Sequence, residues 1–300
     1  MKTVVTVGRR EFLAACGAAV GAATLAGARP AVPDAGRVRF GVRTPLPREM
    51  TLRERAQLVK KLGYDGIELG GEWLDQPVER IQEQLAGVGI AVSAITGSIK
   101  LIDIDPQARA QAVETDRKRL EMAKVLGASD VLEVPTFGPN RFQDISPLMT
   151  PREIEERLLV IQLKQLAPDV QRTGVNLMLE ACNQKETHFM YLQSQAAGFV
   201  EAVGAPGFKL ISDFYHMQLE EKDIAATLRQ YGKYTVYVHL ADGQARTEPG
   251  SLPFDYRPGF RALKDWGFSG WLNMEFRPTD NPEAALARAL AYIRKQWEEA

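Results

Sequence analysis

Histidine and cysteine are scarce in this 300-residue chain, with three of the first and two of the second. Cys16 lies in an N-terminal segment that reads as a removable leader, which leaves Cys182 alone. A single thiol forms no intramolecular disulfide, so the core must hold the fold in any redox compartment. Cys182 sits where an apolar run turns polar and reads as structural. Three histidines are also too few for a zinc cluster rich in nitrogen and sulfur. An excess of either charge is missing too. Lys and Arg number 37 against 38 Asp and Glu, for a net charge of −1. That balance leaves no electrostatic footprint for nucleic acid or an anionic membrane surface. It directs attention to small molecules, or a second copy of the chain, as partners. No Gly-rich phosphate loop follows the first strand, where a nucleotide-binding doubly wound sheet would carry one. Long hydrophobic runs are lacking as well.

The N-terminal stretch VTVGRREFLAACGAAVGAATLAGARP has Arg9-Arg10 before a mild apolar run rich in Ala and Gly. It is too short and too weakly apolar to span a bilayer well. Ala26-Gly27-Ala28 reads as a small-residue cleavage site. The stretch resembles a twin-arginine export signal. The expectation is a signal over residues 1–28, a Pro/Gly linker over 29–36, and a single folded domain over 37–300. That domain would be exported, periplasmic, and without a stable membrane span after cleavage.

What remains alternates. Short apolar runs such as VRFGV, GIEL, AVSAIT, VLEV, NLMLE, FKLISD, TVYVHL and WLNMEF are each followed by a helical pattern. Apolar strands separated by helices imply parallel βαβ pairing. Eight units in about 260 residues fit a single-domain (β/α)8 TIM barrel, with an open doubly wound sheet as the other arrangement.

In such a barrel the C-terminal strand ends face the active site. The fifth strand ends in Glu180 and the sixth in Asp213, the seventh carries His239, and the eighth carries Glu275. Their spacings of 33, 26 and 36 residues are each about one βα unit. Three carboxylates at one mouth repel each other and are costly to bury unless paired or metal-bound. A divalent cation is the natural neutraliser. Three carboxylates and one imidazole suit Mn²⁺, with Mg²⁺ or Co²⁺ as the alternatives.

The segment LEACNQKETHFMYLQSQAAGFVEAVGAPGFKLISDFYHMQLEEKDI resembles the centre of the ketose 3-epimerases, within the xylose isomerase-like barrels of sugar isomerases and epimerases. GYDGIELGG, LGASDVLEVP and VHLADGQARTEPG extend the likeness. It implies that Glu180, Asp213, His239 and Glu275 bind the metal and that Glu180 and Glu275 are the acid–base pair. It further implies that Glu186, His216 and Arg246 contact substrate. Two departures stand out. Asn183-Gln184 replaces the family's usual Asn-Arg, and Asp213-Phe214-Tyr215-His216 replaces Asp-Thr-Phe-His. Aromatic residues for a ketose tail are also sparse in the first half. His188 lacks such a motif and reads as structural. A homo-oligomer follows only by analogy.

The expected reaction removes a proton beside a sugar oxygen, through an enediolate, on a free and unphosphorylated sugar. A lyase or dehydratase acting on a keto-sugar or keto-glycoside is the alternative, since it shares the first step. A non-catalytic periplasmic sugar binder would not need two carboxylates flanking one metal. A nuclease of the same superfamily would need more histidines and a basic surface.

Overall fold

The computed structural model describes residues 37–300 apart from Thr44 and Gln244, so the expected export signal and all of the linker lie outside the described residues. Eight parallel strands close into a barrel in sequence order. They are β1 Arg39–Val42, β2 Gly66–Leu69, β3 Ala91–Thr96, β4 Asp130–Glu133, β5 Asn176–Glu180, β6 Phe208–Asp213, β7 Thr235–Leu240 and β8 Trp271–Met274. Pairing of β1 with β8, Arg39 against Trp271 through Val42 against Met274, makes the closure.

Helix boundaries follow local chemistry. Thr51 and Glu54 form a reciprocal capping box at the start of helix Leu52–Lys61, and Thr150 and Glu153 do the same for Pro151–Thr173. Each box satisfies two backbone N–H groups that the first helical turn leaves without partners. Asp105 caps helix Pro106–Leu126, which opens on Pro106 and closes on Gly127 in the left-handed conformation. Gly174 and Gly204 close their helices in the same way, because glycine adopts positive φ without a Cβ clash. Among the described residues, no helix is long and apolar enough to cross a membrane.

Three differences from the sequence reading bear on the site. The strand expected over Val131–Val134 starts at Asp130 and ends at Glu133. The last strand stops at Met274, so Glu275 stands just beyond it. A further helix, Phe214–Glu220, follows β6 directly and carries His216.

Candidate metal centre and active site

Strand side chains alternate between faces, so a residue known to point inward fixes its neighbours two positions away. Met178, Ile211, Tyr237 and Trp271 fill the barrel interior. Two positions further on stand Glu180, Asp213, His239 and Asn273, and Glu275 follows Asn273 by two. The alternation therefore aims four sequence-predicted residues at one mouth. Glu180, Asp213, His239 and Glu275 each bring a ligand atom within 4.8 Å of the others. Glu180, Asp213 and His239 are buried, and the Glu275 side chain retains 16 % exposure.

His239 organises the cluster. Its Nδ1 lies 2.8 Å from Glu275 Oε2 and 3.4 Å from Glu180 Oε1, while its Nε2 lies 2.8 Å from Glu68 Oε2. Burial disfavours charge on the ring, but Glu275 and Glu68 prevail and hold its pKa well above the usual histidine range. The two glutamates diverge. Burial raises Glu180, with partial relief from His239. Burial also opposes ionisation of Glu275, but His239, Arg43 and Arg246 hold it well below the usual carboxylate range. Two carboxyls driven apart in this way are suited to separate roles in proton transfer.

The donor set fits a divalent cation. One imidazole nitrogen and three carboxylates converge, and the other imidazole nitrogen is fixed by a carboxylate behind it. That carboxylate–histidine arrangement recurs behind metal-ligating histidines, where it sets ring orientation and tautomer.

Asp213 has two tasks. Its Oδ1 accepts a hydrogen bond from Tyr215 N at 2.7 Å and caps the Phe214–Glu220 helix. Its Oδ2 faces Arg246 Nη2 at 3.1 Å and His216 Nε2 at 3.4 Å. His216 is 2 % exposed. Its Nδ1 accepts from the Asn183 backbone N–H at 3.1 Å. That bond assigns the ring proton to Nε2, which faces the cluster. Asn183 Nδ2 lies 2.8 Å from the same Nδ1 and also donates to Glu186 Oε1 at 3.0 Å. Glu186 thus stands behind His216, outside the four-residue cluster.

Arg246 is the one non-glycine residue with positive φ among the described residues, at 54°. Such a conformation costs roughly 1–3 kcal/mol and persists where the surroundings hold it. Here Nη2 lies 2.5 Å from Glu275 Oε2, and the guanidinium stacks over Tyr215 at 4.7 Å. The carboxylates hold Arg246 above its usual range against the effect of burial.

Arg43, Glu68, Tyr237 and Asn273 were not read from the sequence as site residues. Glu68 Oε2 accepts from Tyr237 OH and Asn273 Nδ2, each at 3.0 Å, and Glu68 Oε1 accepts from Arg43. Arg43 Nε also lies 2.9 Å from Glu275 Oε1. The signal for Glu68 was present in GIEL, an acid near a strand end. Glu133 carries the same signal but points outward, where it meets Ser98 and Asp116. His188 lies outside the cluster, bonded to the Gly138 carbonyl at 2.6 Å and to Glu155 at 2.8 Å. Cys182 is a buried free thiol with its pKa pushed well up by burial, which makes it inert as a nucleophile.

The sequence profile of the xylose isomerase-like TIM barrel family matches residues 56–296. The 3-dehydro-D-guloside 4-epimerase of Escherichia coli K12 is 25 % identical over 246 residues, covering 80 % of this chain and 93 % of that protein. The ketose 3-epimerase of Arthrobacter globiformis is 25 % identical over 253 residues, covering 82 % and 84 %. In fold, the apo 3-keto-D-glucoside 4-epimerase of Escherichia coli superposes with a TM-score of 0.75 at 23 % identity, over 86 % of this chain and all of the other. A D-psicose 3-epimerase of Clostridium cellulolyticum H10, solved with D-tagatose, gives 0.74 at 21 %, over 87 % and 99 %. By the closed eight-stranded barrel and a profile match across most of its length, this chain belongs to the xylose isomerase-like TIM barrel family.

Proposed function

We propose that the chain is a metal-dependent sugar isomerase or epimerase acting on a free, unphosphorylated sugar. The observation that carries this reading is the convergence of Glu180, Asp213, His239 and Glu275, whose ligand atoms all lie within 4.8 Å of one another. The relatives bearing epimerase names act on keto-sugars or keto-glycosides, which supports the substrate class.

Glu180, Asp213, His239 and Glu275 would hold the divalent ion, Mn²⁺ in first place. When bound, it supplies charge that polarises neighbouring sugar oxygens and acidifies the adjacent C–H. Glu180 and Glu275 are the proton-transfer pair. One removes the substrate proton and the other returns it, and return to the opposite face of the same carbon inverts that centre. Positioned acid–base groups contribute typically 10²–10⁴-fold. His216 Nε2–H donates to a substrate oxygen, and the Arg246 guanidinium offsets negative charge developing there. Asn183 holds His216 in the donating tautomer. The Arg9-Arg10 leader supports an exported, periplasmic enzyme, which would meet free sugars more than phosphorylated ones.

The test is solvent exchange. Purified enzyme with Mn²⁺ and a panel of free ketoses and 3-keto-glycosides in D₂O is expected to place deuterium on a sugar carbon. Glu180→Gln and Glu275→Gln should each reduce exchange at least 10³-fold, the upper part of the acid–base range. In a parallel reaction in H₂O, product mass equal to substrate mass identifies an isomerase or epimerase, and a smaller product identifies the lyase. Exchange that survives both substitutions would refute the assignment.

A further inference from the structure

One guanidinium lies between two carboxylates that both reach the same histidine. Arg43 Nε lies 2.9 Å from Glu275 Oε1, and Arg43 Nη1 donates to Glu68 Oε1. The second oxygen of each carboxylate meets a different nitrogen of one imidazole. Glu275 Oε2 lies 2.8 Å from His239 Nδ1, and Glu68 Oε2 lies 2.8 Å from His239 Nε2. Arg43, Glu68, His239 and Glu275 thus close a ring of contacts, in which each carboxylate turns one oxygen to Arg43 and the other to His239.

Barrel register builds this ring. Val42 of β1 pairs with Ile67 of β2 on one side and with Met274 of β8 on the other. The next positions along the three chains are Arg43, Glu68 and Glu275. The Arg43 N–H donates to the Met274 carbonyl at 2.8 Å, which carries the pairing one step past Val42. Side chains at matched positions of neighbouring strands project to the same face, so the guanidinium emerges between the two carboxylates. Its position matters most for Glu275, which stands beyond the end of β8 with its side chain 16 % exposed. A long carboxylate side chain at a strand end can present either oxygen or turn to solvent. Arg43 takes Oε1, and Oε2 is left to face His239 and the cluster. Charge balance alone does not account for this arrangement. A lysine would carry the same charge, but its ammonium donates from a single point, whereas Arg43 donates from two nitrogens of one rigid plane.

We propose that Arg43 is a positioning residue that orients Glu275 and His239. Its guanidinium fixes which oxygen of Glu275 faces the cluster and, through Glu68, which way the His239 ring is turned. The proposal rests on the reading of Glu180, Asp213, His239 and Glu275 as metal ligands, and it adds a residue outside them that sets the direction of two.

The test uses the full chain, treated with chelator, as wild type, Arg43→Ala and Arg43→Lys. Arg43→Ala is expected to weaken Mn²⁺ binding by about 10–100-fold in calorimetric titration, the usual effect of removing a partner that orients metal ligands, and Arg43→Lys by a similar factor. The Arg43 side chain is 28 % exposed, so the space left by alanine is open to a small solute. Methylguanidinium should restore Mn²⁺ affinity to Arg43→Ala, and methylammonium should not. A fold damaged elsewhere would respond to neither. In the metal-free protein, the ring ¹⁵N resonances of His239, identified by their loss in His239→Gln, should shift in Arg43→Ala and return with methylguanidinium. Unchanged or tighter Mn²⁺ binding in Arg43→Ala would overturn the proposal, and wild-type affinity in Arg43→Lys would reduce Arg43 to a counter-charge. Either result, with Mn²⁺ bound by the wild type, leaves the metal-centre reading intact. A wild type that binds none of Mn²⁺, Mg²⁺ and Co²⁺, with His239 resonances that still depend on Arg43, sinks the metal-centre reading and supports the orienting role.

Discussion

Glu68 shows how a residue outside the candidate ligand set can govern it. Its Oε2 holds His239 Nε2 at 2.8 Å, and Tyr237 and Asn273 fix the same oxygen. The ring is thereby turned so that Nδ1 faces Glu180 and Glu275. Removing the charge would leave the ring free to rotate and less basic as a ligand. Carboxylates of this kind are typically worth 10–100-fold in metal affinity. Glu68→Gln is therefore expected to weaken Mn²⁺ binding by about that factor, read by calorimetric titration of the chelator-treated protein. Unchanged affinity would show that the barrel wall alone orients His239. The sequence disclosed the four converging side chains but not this support, because a carboxylate near a strand end reads alike whether it faces inward, as Glu68 does, or outward, as Glu133 does. Only the parity of the closed barrel separates them.

At the scale of elements, candidate ligand and helix cap coincide in Asp213. Its Oδ1 accepts from Tyr215 N, and its Oδ2 faces the cluster. The two functions can be separated by substitution. Asn retains a cap oxygen but removes the charge, whereas Ala removes both. Loss of an Asp cap costs about 1 kcal/mol. Asp213→Asn and Asp213→Ala are both expected to lose Mn²⁺ binding. In the metal-free state Asp213→Ala should be less stable than Asp213→Asn by about 1 kcal/mol in urea unfolding. Equal stabilities would mean that Tyr215 N finds another partner. The helix that Asp213 caps escaped the sequence reading for a related reason. Phe214, Tyr215, His216 and Met217 are all buried, so no polar face interrupts the run and no 3.6-residue period appears. Elements with amphipathic faces and turn residues were legible almost to the residue. Helix Pro106–Leu126 begins on Asp105-Pro106 and ends on Gly127, and every one of those signals is local.

For the whole molecule, the alternation of apolar strands and amphipathic helices indicated parallel pairing, and the count of eight units with no Gly-rich phosphate loop favoured the barrel over an open doubly wound sheet. Composition did not reveal what lies between barrel and helices. There, Glu133 of β4 and Asp116 of helix Pro106–Leu126 converge on Gly97, where an added Cβ would stand 2.6 Å and 2.8 Å from their oxygens. Ser98 N and Oγ donate to Asp116 at 2.6 Å and 3.0 Å. Both carboxyls are buried, and among the described residues no basic side chain is paired with either. Burial pushes Asp116 up to about 7, and burial together with Asp116 pushes Glu133 well above the usual carboxylate range. These folded-state values exceed those of the unfolded chain, near 4. Below pH 4 both states are protonated and the pair imposes no penalty. As pH rises from about 4 through about 7, the unfolded chain releases protons that the folded chain keeps, so stability falls across that window. Glu133→Gln keeps a hydrogen-bond donor beside Asp116 and removes one titrating group. The substitution is expected to change the melting temperature little at pH 4 and to raise it by several degrees at pH 8, with the metal-free protein at constant ionic strength. Parallel melting curves for the two proteins across pH would show that this pair does not set the acid dependence of the barrel. A gain confined to the alkaline side would locate it between β4 and the helix Pro106–Leu126, away from the metal centre.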